Sequence, residues 1–240
     1  MCGRASEHAT IHLYYAEISS IDQEAVDAFV AIEDLENLRA TTRPRRRREH
    51  LAGRALMRFA LQDWTGRPAR SQRLRLTAGG KPECVDGPAV NVAHSGNLVA
   101  CALSPAGRIG VDVQFPVLGR QAQVIAHQYF SPAETDWLGS QPGDRFYMLW
   151  VLKEAYLKAL GLGLAGGLDA LQCKVEPPVI ESATAHNSEV VTLALYSAGD
   201  GFIALATNDF RFDGVHIHCW NPGAAATERS SSIRLIARTA

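Results

Sequence analysis

The sequence predicts an α+β fold: two similar subdomains related by a pseudo-twofold, each a small antiparallel sheet packed on a long helix. Three observations carry this prediction. Two helical segments, residues 45–64 and 146–160, stop at Gly66 and Gly161, and glycine readily takes the left-handed geometry of a helix C-terminal cap. Short apolar runs around turn residues accompany each helix, as hairpins require. Finally, Leu98-Val99-Ala100-Cys101-Ala102 is echoed by Phe202-Ile203-Ala204-Leu205-Ala206, each behind a glycine-containing turn, a short repeat that favours two related halves.

Residues 10–18 read as a strand rich in β-branched and aromatic side chains. Residues 22–39 read as one acidic amphipathic helix, with Ala25, Val26, Phe29, Ile32, Leu35 and Leu38 on its apolar side. Pro44 interrupts that pattern and starts the next helix, which offers Leu51, Ala55, Phe59 and Leu61 to the core before Gly66 and Pro68 end it. A strand near 72–77 leads into the tight turn Gly79-Gly80-Lys81-Pro82. Runs 89–94 and 98–103 flank the hairpin turn Ser95-Gly96-Asn97.

Ser104-Pro105-Ala106-Gly107 turns the chain into a strand over 109–115, where Val111, Val113 and Phe115 alternate with Gly110, Asp112 and Gln114. Ser131-Pro132-Ala133-Glu134 starts a helix, with serine at the N-cap, proline in the first turn and glutamate at the third position. The helix over 146–160 sets a core stripe of Leu149, Leu152, Tyr156, Ala159 and Leu160 opposite Trp150, Glu154 and Lys158. Strands at 190–196 and 202–207 complete the second half. The expected boundaries are 1–106, 107–222, and a flexible Ala- and Ser-rich tail over 223–240.

A chain of 240 residues with 47% hydrophobic and 20% charged content is an ordinary globular protein. A net charge of −1 argues against a generally basic nucleic-acid binder. Eight arginines nevertheless fall between Arg39 and Arg58 against a single acid, Glu49, which suggests a local anion site. The five cysteines are scattered, and no CxxC or Cys/His pair has zinc spacing, so neither a disulfide framework nor a structural zinc site is expected. With no signal-like or bilayer-length apolar run, a cytoplasmic protein with no membrane and no nucleic-acid partner is expected.

The chemistry-bearing residues each admit two readings. Glu154 and Lys158 form an i,i+4 pair, either ordinary helix stabilisation or a metal ligand beside a phosphate clamp. Asp112 and Gln114 share a strand face, either the solvated side of an edge strand or a divalent-cation site, since magnesium takes few carboxylates and fills the rest with water and phosphate. His94 ends a strand at a tight turn, and Lys81 follows two glycines. Both are structural or surface residues by default, and phosphate or sugar contacts if they face a ligand. The arginine run 45–48 is a solvated helix start or a phosphate-binding rim.

In order the chain carries RxxxxxGRxxxR, GGKP, NVAHSG, GVDV, YFSPAE and WVLKEAYLKALG. From about residue 45 to 171 this series resembles the 4′-phosphopantetheinyl transferases of the larger, surfactin-synthetase-activating type. The resemblance implies magnesium, or manganese in its place, held by Asp112 and Glu154 with Gln114 beside them, on the pyrophosphate of coenzyme A. It implies that Glu154 helps deprotonate an acceptor serine and that Lys158 contacts the phosphates. Lys81, His94, Arg48 and Arg54 would hold the 3′-phosphoadenosine part, with coenzyme A in a cleft between the halves. The implied partner of this expected monomer is an apo acyl carrier protein or peptidyl carrier domain of fatty-acid, polyketide or nonribosomal-peptide biosynthesis. Its docking patch is expected near residues 122–129.

Two positions depart from the family pattern. Gln114 stands where many relatives have a glutamate, and Ala93 where a serine commonly precedes the histidine. They give a non-catalytic coenzyme A- or carrier-binding relative its foothold, and a nucleic-acid module exploiting the arginines is the remoter alternative.

Overall fold

The computed structural model describes residues 10–77, 80–117, 121–140, 142–162, 167–169, 171–176, 178–183, 192–208, 214–222 and 233–238. Along the chain these form β1 (Ile11–Glu17), α1 (Gln23–Phe29), α2 (Ile32–Asn37), α3 (Pro44–Thr65), β2 (Leu74–Leu76), β3 (Pro82–Cys84), β4 (Ala89–Ser95), β5 (Leu98–Ser104) and β6 (Ile109–Gln114). There follow α4 (Ala122–Tyr129), α5 (Pro132–Leu138), α6 (Gly143–Leu160), β7 (Leu171–Val175), β8 (Pro178–Ala183), β9 (Thr192–Ala198), β10 (Gly201–Thr207), β11 (Val215–Cys219) and β12 (Ile233–Arg238). The fold is α+β. Chain contacts divide it into one unit of Met1–Ala106 with Arg211–Ser230 and another of Gly107–Phe210 with Ser231–Ala240.

The first unit holds a sheet in the order β11-β1-β5-β4 and a small β2-β3 ribbon. Helix α3 starts with Pro44 at its first turn and ends at Gly66 in the left-handed region. Its Ala55, Leu56, Ala60 and Leu61 are fully buried in one cluster with Tyr14, Val99, Cys101 and Leu103 of the sheet. Each such leucine contributes roughly 1.5–3 kcal/mol of burial.

The single helix expected over 22–39 is two. The chain breaks at Val30 and Ala31 because the Asp34 carboxylate turns inward, accepting the Ala31 N–H at 3.2 Å and a hydrogen bond from Arg58. Asp34 is therefore buried while Ile32 is 73% exposed. A buried ion pair has overridden the apolar periodicity.

The second unit holds a sheet in the order β12-β9-β10-β6 and the β7-β8 ribbon. Helix α6 packs on β6, β10, β9 and β7 and buries Phe146, Leu149, Leu152, Tyr156 and Leu157 in one cluster. Trp150, expected beside Glu154 on the open face, instead packs against this core and lies 5.6 Å from the Phe146 ring.

Two assignments near the C-terminus change. Residues 215–219, placed in the second half with no strand expected there, form β11 and pair in parallel with β1 in the first unit. Parallel neighbours are joined by long connections, so no local hairpin signal announces them. Strand β12 pairs with β9 inside the stretch expected to be a flexible tail; residues 223–232 and 239–240 of that stretch lie outside the described residues.

Candidate active site

Gly110 fixes where α6 meets β6. A Cβ at Gly110 would lie 2.0 Å from the Ala155 carbonyl oxygen and 2.5 Å from the Ala159 nitrogen, so the helix backbone rests directly on the strand. Side chains alternate along a strand, and Asp112 therefore shares Gly110's face and meets the helix at Lys158. Lys158 Nζ donates to Asp112 Oδ1 at 2.7 Å and to the Val111 carbonyl at 3.2 Å. Although β6 is an edge strand, α6 covers its polar face. Asp112 is only 5% exposed, which disposes of the solvated-edge reading.

The electrostatics of this pocket are unbalanced. Asp112 Oδ2 is buried and has no hydrogen-bond partner among the described residues, a deficit of about 1–3 kcal/mol. Burial pushes the Asp112 carboxyl above its ordinary range, with Lys158 chiefly opposing and the Val113 N–H and Gln114 side chain adding smaller opposition. Glu154, 7% exposed, is raised to about 7 by burial first and by the charge of Asp112 second, against Lys158. Burial holds down the ionisation of both carboxyls beside one lysine, and the charge of Asp112 adds to it at Glu154. A hard divalent cation would relieve that conflict, since carboxylate and amide oxygens are its ordinary ligands. Asp112, Glu154 and the half-buried Gln114 fit such an ion.

Sequence reasoning missed a second lysine on the same helix. Lys153 is fully buried and donates to Glu134 Oε2 at 2.7 Å. Glu134 also accepts the Ser131 N–H on Oε2 and the Cys173 N–H on Oε1, both at 2.7 Å. The capping box at Ser131 was legible; the lysine beneath it was not, because its partner lies on another element.

The remaining predicted residues lie in the first unit. Arg48 is exposed and helps line a concavity with Ile21, Asp22, Arg47 and Leu51. Arg54 is half-buried with Nε 3.8 Å from Asp34 Oδ1, and its Nη1 is buried without a hydrogen-bond partner among the described residues. Arg58 of the same basic run is structural: beyond Asp34 it donates to the Ala69 and Gln72 carbonyls at 2.9 and 3.2 Å. His94 Nδ1 lies 3.8 Å from Glu49 Oε2. The Lys81 backbone N–H donates to Thr77 Oγ1 at 3.1 Å, and Gly79 of its turn lies outside the described residues. Burial first, and then Arg46 and Arg54, push the His50 imidazole down, with Glu49 opposing.

Among the described residues, no helix is long and apolar enough to cross a membrane. Residues 108–205 match the family model of the 4′-phosphopantetheinyl transferase superfamily. A Synechocystis sp. protein provisionally named as a 4′-phosphopantetheinyl transferase is 44% identical over 108 residues, 41% of this chain and 44% of that protein. The 4′-phosphopantetheinyl transferase HetI of Nostoc sp. is 28% identical over 188 residues, 73% of this chain and 79% of HetI. The 4′-phosphopantetheinyl transferase psf-1 of Bacillus pumilus is 30% identical over 134 residues, 53% of this chain and 56% of psf-1. The chain thus spans about half the length of two of these relatives and most of the third.

Proposed function

We propose that this chain is a 4′-phosphopantetheinyl transferase that moves the phosphopantetheine group of coenzyme A onto a serine of an apo acyl or peptidyl carrier protein. The observation that carries the reading is the part-buried Asp112–Lys158 pair, with a carboxylate oxygen unpartnered among the described residues beside Glu154, inside the segment that matches the transferase superfamily. Asp112 and Glu154, with Gln114 beside them, would hold magnesium or manganese. When bound, that ion supplies positive charge on the pyrophosphate of coenzyme A.

The chain's own residues do the rest. The carrier serine oxygen bonds to the β-phosphorus of coenzyme A, and the bond from that phosphorus to the bridging oxygen breaks. Adenosine 3′,5′-bisphosphate leaves with the electron pair. Glu154, a carboxylate beside Asp112 and Lys158, is the proposed acceptor of the serine proton. Lys158, already held by Asp112 and the Val111 carbonyl, presents a fixed cation to the phosphates with little reorganisation. Arg54, with its unsatisfied Nη1, and Arg48, His94 and Lys81 are the proposed contacts of the 3′-phosphoadenosine moiety. Helix α4, whose Val124 and Tyr129 are exposed, is the proposed carrier-docking surface.

Intact-mass spectrometry tests this directly. Apo carrier proteins incubated with the chain, coenzyme A and magnesium should gain the mass of phosphopantetheine, and the gain should disappear with Asp112→Ala. No gain on any of several carriers, with coenzyme A binding demonstrated separately, would leave a non-catalytic binder.

A further inference from the structure

Three histidines far apart in sequence meet at the edge of the first unit's sheet. Strand β11 lies parallel to β1 in a register that sets His12 opposite His216 and Tyr14 opposite His218. Alternation along each strand places His12, Tyr14, His216 and His218 on one face. The ring centroids of His216 and His218 are 5.1 and 4.9 Å from that of His12. One ring nitrogen from each of the three histidines lies within 4.8 Å of the others.

We infer that His12, His216 and His218 form a site for one zinc-class transition-metal ion that fastens β11 to β1. Imidazole nitrogens suit zinc, and three of them leave a fourth position for water. His218 Nε2 and His12 Nδ1 are 3.0 Å apart. Two nitrogens on a tetrahedral zinc at its usual bond length stand about 3.3 Å apart, so a small outward shift admits the ion.

Ring contacts hold His12 in place: it meets Trp64 edge-on at 4.8 Å and stacks on His218 with 15° between the planes. Tyr14 Oη, 3.4 Å from His12 Nδ1, gives its proton to Asp63 Oδ2 at 2.7 Å and so leaves that nitrogen to the ion. His216 is exposed, which provides an entry path. Sequence spacing argued against zinc because the third ligand comes from the opposite end of the chain.

The site is independent of the transferase reading. Full-length chain stripped with a chelator should bind one Zn2+ in isothermal titration calorimetry and gain thermal stability. With Co2+ it should show the visible bands of a tetrahedral nitrogen-ligated ion without thiolate charge transfer. His216→Ala, at an exposed position, should keep the fold by circular dichroism and weaken binding by at least the roughly 10–100-fold that losing even a supporting residue costs. His218→Gln should do the same, and Asp112→Ala should leave zinc binding unchanged. Three results would overturn the inference: no zinc uptake by wild type, thiolate bands placing the ion on cysteine, or binding lost with Asp112→Ala and kept with His216→Ala.

Discussion

Helix α6 carries two lysine–carboxylate pairs one and a half turns apart, each 2.7 Å long, and they are opposites. Lys153 and Glu134 are sealed from solvent, and both carboxylate oxygens of Glu134 are used: Lys153 and the Ser131 N–H on one, the Cys173 N–H on the other. The Lys153 ammonium also sits 4.6 Å over the Phe130 ring. Lys158 is partly open, and its partner Asp112 keeps one buried oxygen with no hydrogen bond of ordinary geometry among the described residues. A closed network joins α5, α6 and β7. The open one leaves an acceptor to spare among the described residues. Distance alone does not distinguish them; satisfaction of the remaining polar atoms does.

The largest effect should come from the closed pair. Glu134→Ala leaves the Lys153 charge buried and two backbone N–H groups without acceptors, and should cost about 3–5 kcal/mol in urea denaturation. Burial already pushes the Lys153 ammonium down, and Glu134 is the first group to oppose this, with Cys173 and Asp169 behind it. The paired replacement Glu134→Leu with Lys153→Met should recover most of the loss, because it removes both charges together. If Glu134→Ala were as stable as wild type, the contrast between the pairs would collapse.

The open pair should behave in reverse. Asp112→Ala should lower transfer to a carrier by about 10²–10³-fold or more, the scale of losing one fixed electrostatic contact in a reacting site. Its stability should be unchanged or higher, because a buried unpartnered oxygen goes with it and the partly open Lys158 can reach water. Activity and unfolding curves on the same preparation check both halves. A destabilisation as large as that of Glu134→Ala would make Asp112 structural.

The chain yields this site to sequence reading better than it yields its frame. Strand alternation put Gly110 and Asp112 on one face and helical spacing put Glu154 and Lys158 on another, while the pairing of those two faces was implied by the family resemblance. Lys153 was hidden because a lysine is assigned to solvent by its charge, although its spacing from Leu149 and Tyr156 puts it on the core stripe, and its burial takes a glutamate on another element. Asp34 is the same case in the first unit, where a buried pair with Arg58 split a helix the apolar pattern had joined. Strands β11 and β12 pair across long separations, and nothing local in Val215–Cys219 or Ile233–Arg238 names a partner.

A smaller effect follows from the raised Glu154 carboxyl. Its folded value, about 7 against an ordinary 4.5, means that the metal-free folded chain holds this proton more tightly than the unfolded chain. The stability it contributes is complete below pH 4.5 and is lost as pH rises through about 7. Glutamine cannot ionise, so Glu154→Gln should be more stable than wild type above pH 7, by at most roughly 3 kcal/mol. The advantage should shrink to nothing toward pH 4.5. Denaturation in chelator across that range reads the difference, and magnesium should narrow it at high pH only in wild type. A pH-independent difference would remove Glu154 from the charge conflict.

The smallest expected effect tests where the carrier sits. Val124 is 57% exposed on α4, with Tyr129 exposed on the same helix, and neither belongs to the charged pair on α6. Val124→Asp removes apolar contact area and adds a charge that must be desolvated on docking, which should cost about 1 kcal/mol of carrier binding. That is a roughly five- to tenfold rise in KM for the carrier, with kcat and the KM for coenzyme A unchanged. A change in kcat would mean that α4 communicates with the charged pair after all. An unchanged carrier KM would move docking to another apolar surface, with the exposed Trp137 of α5 the next side chain to alter.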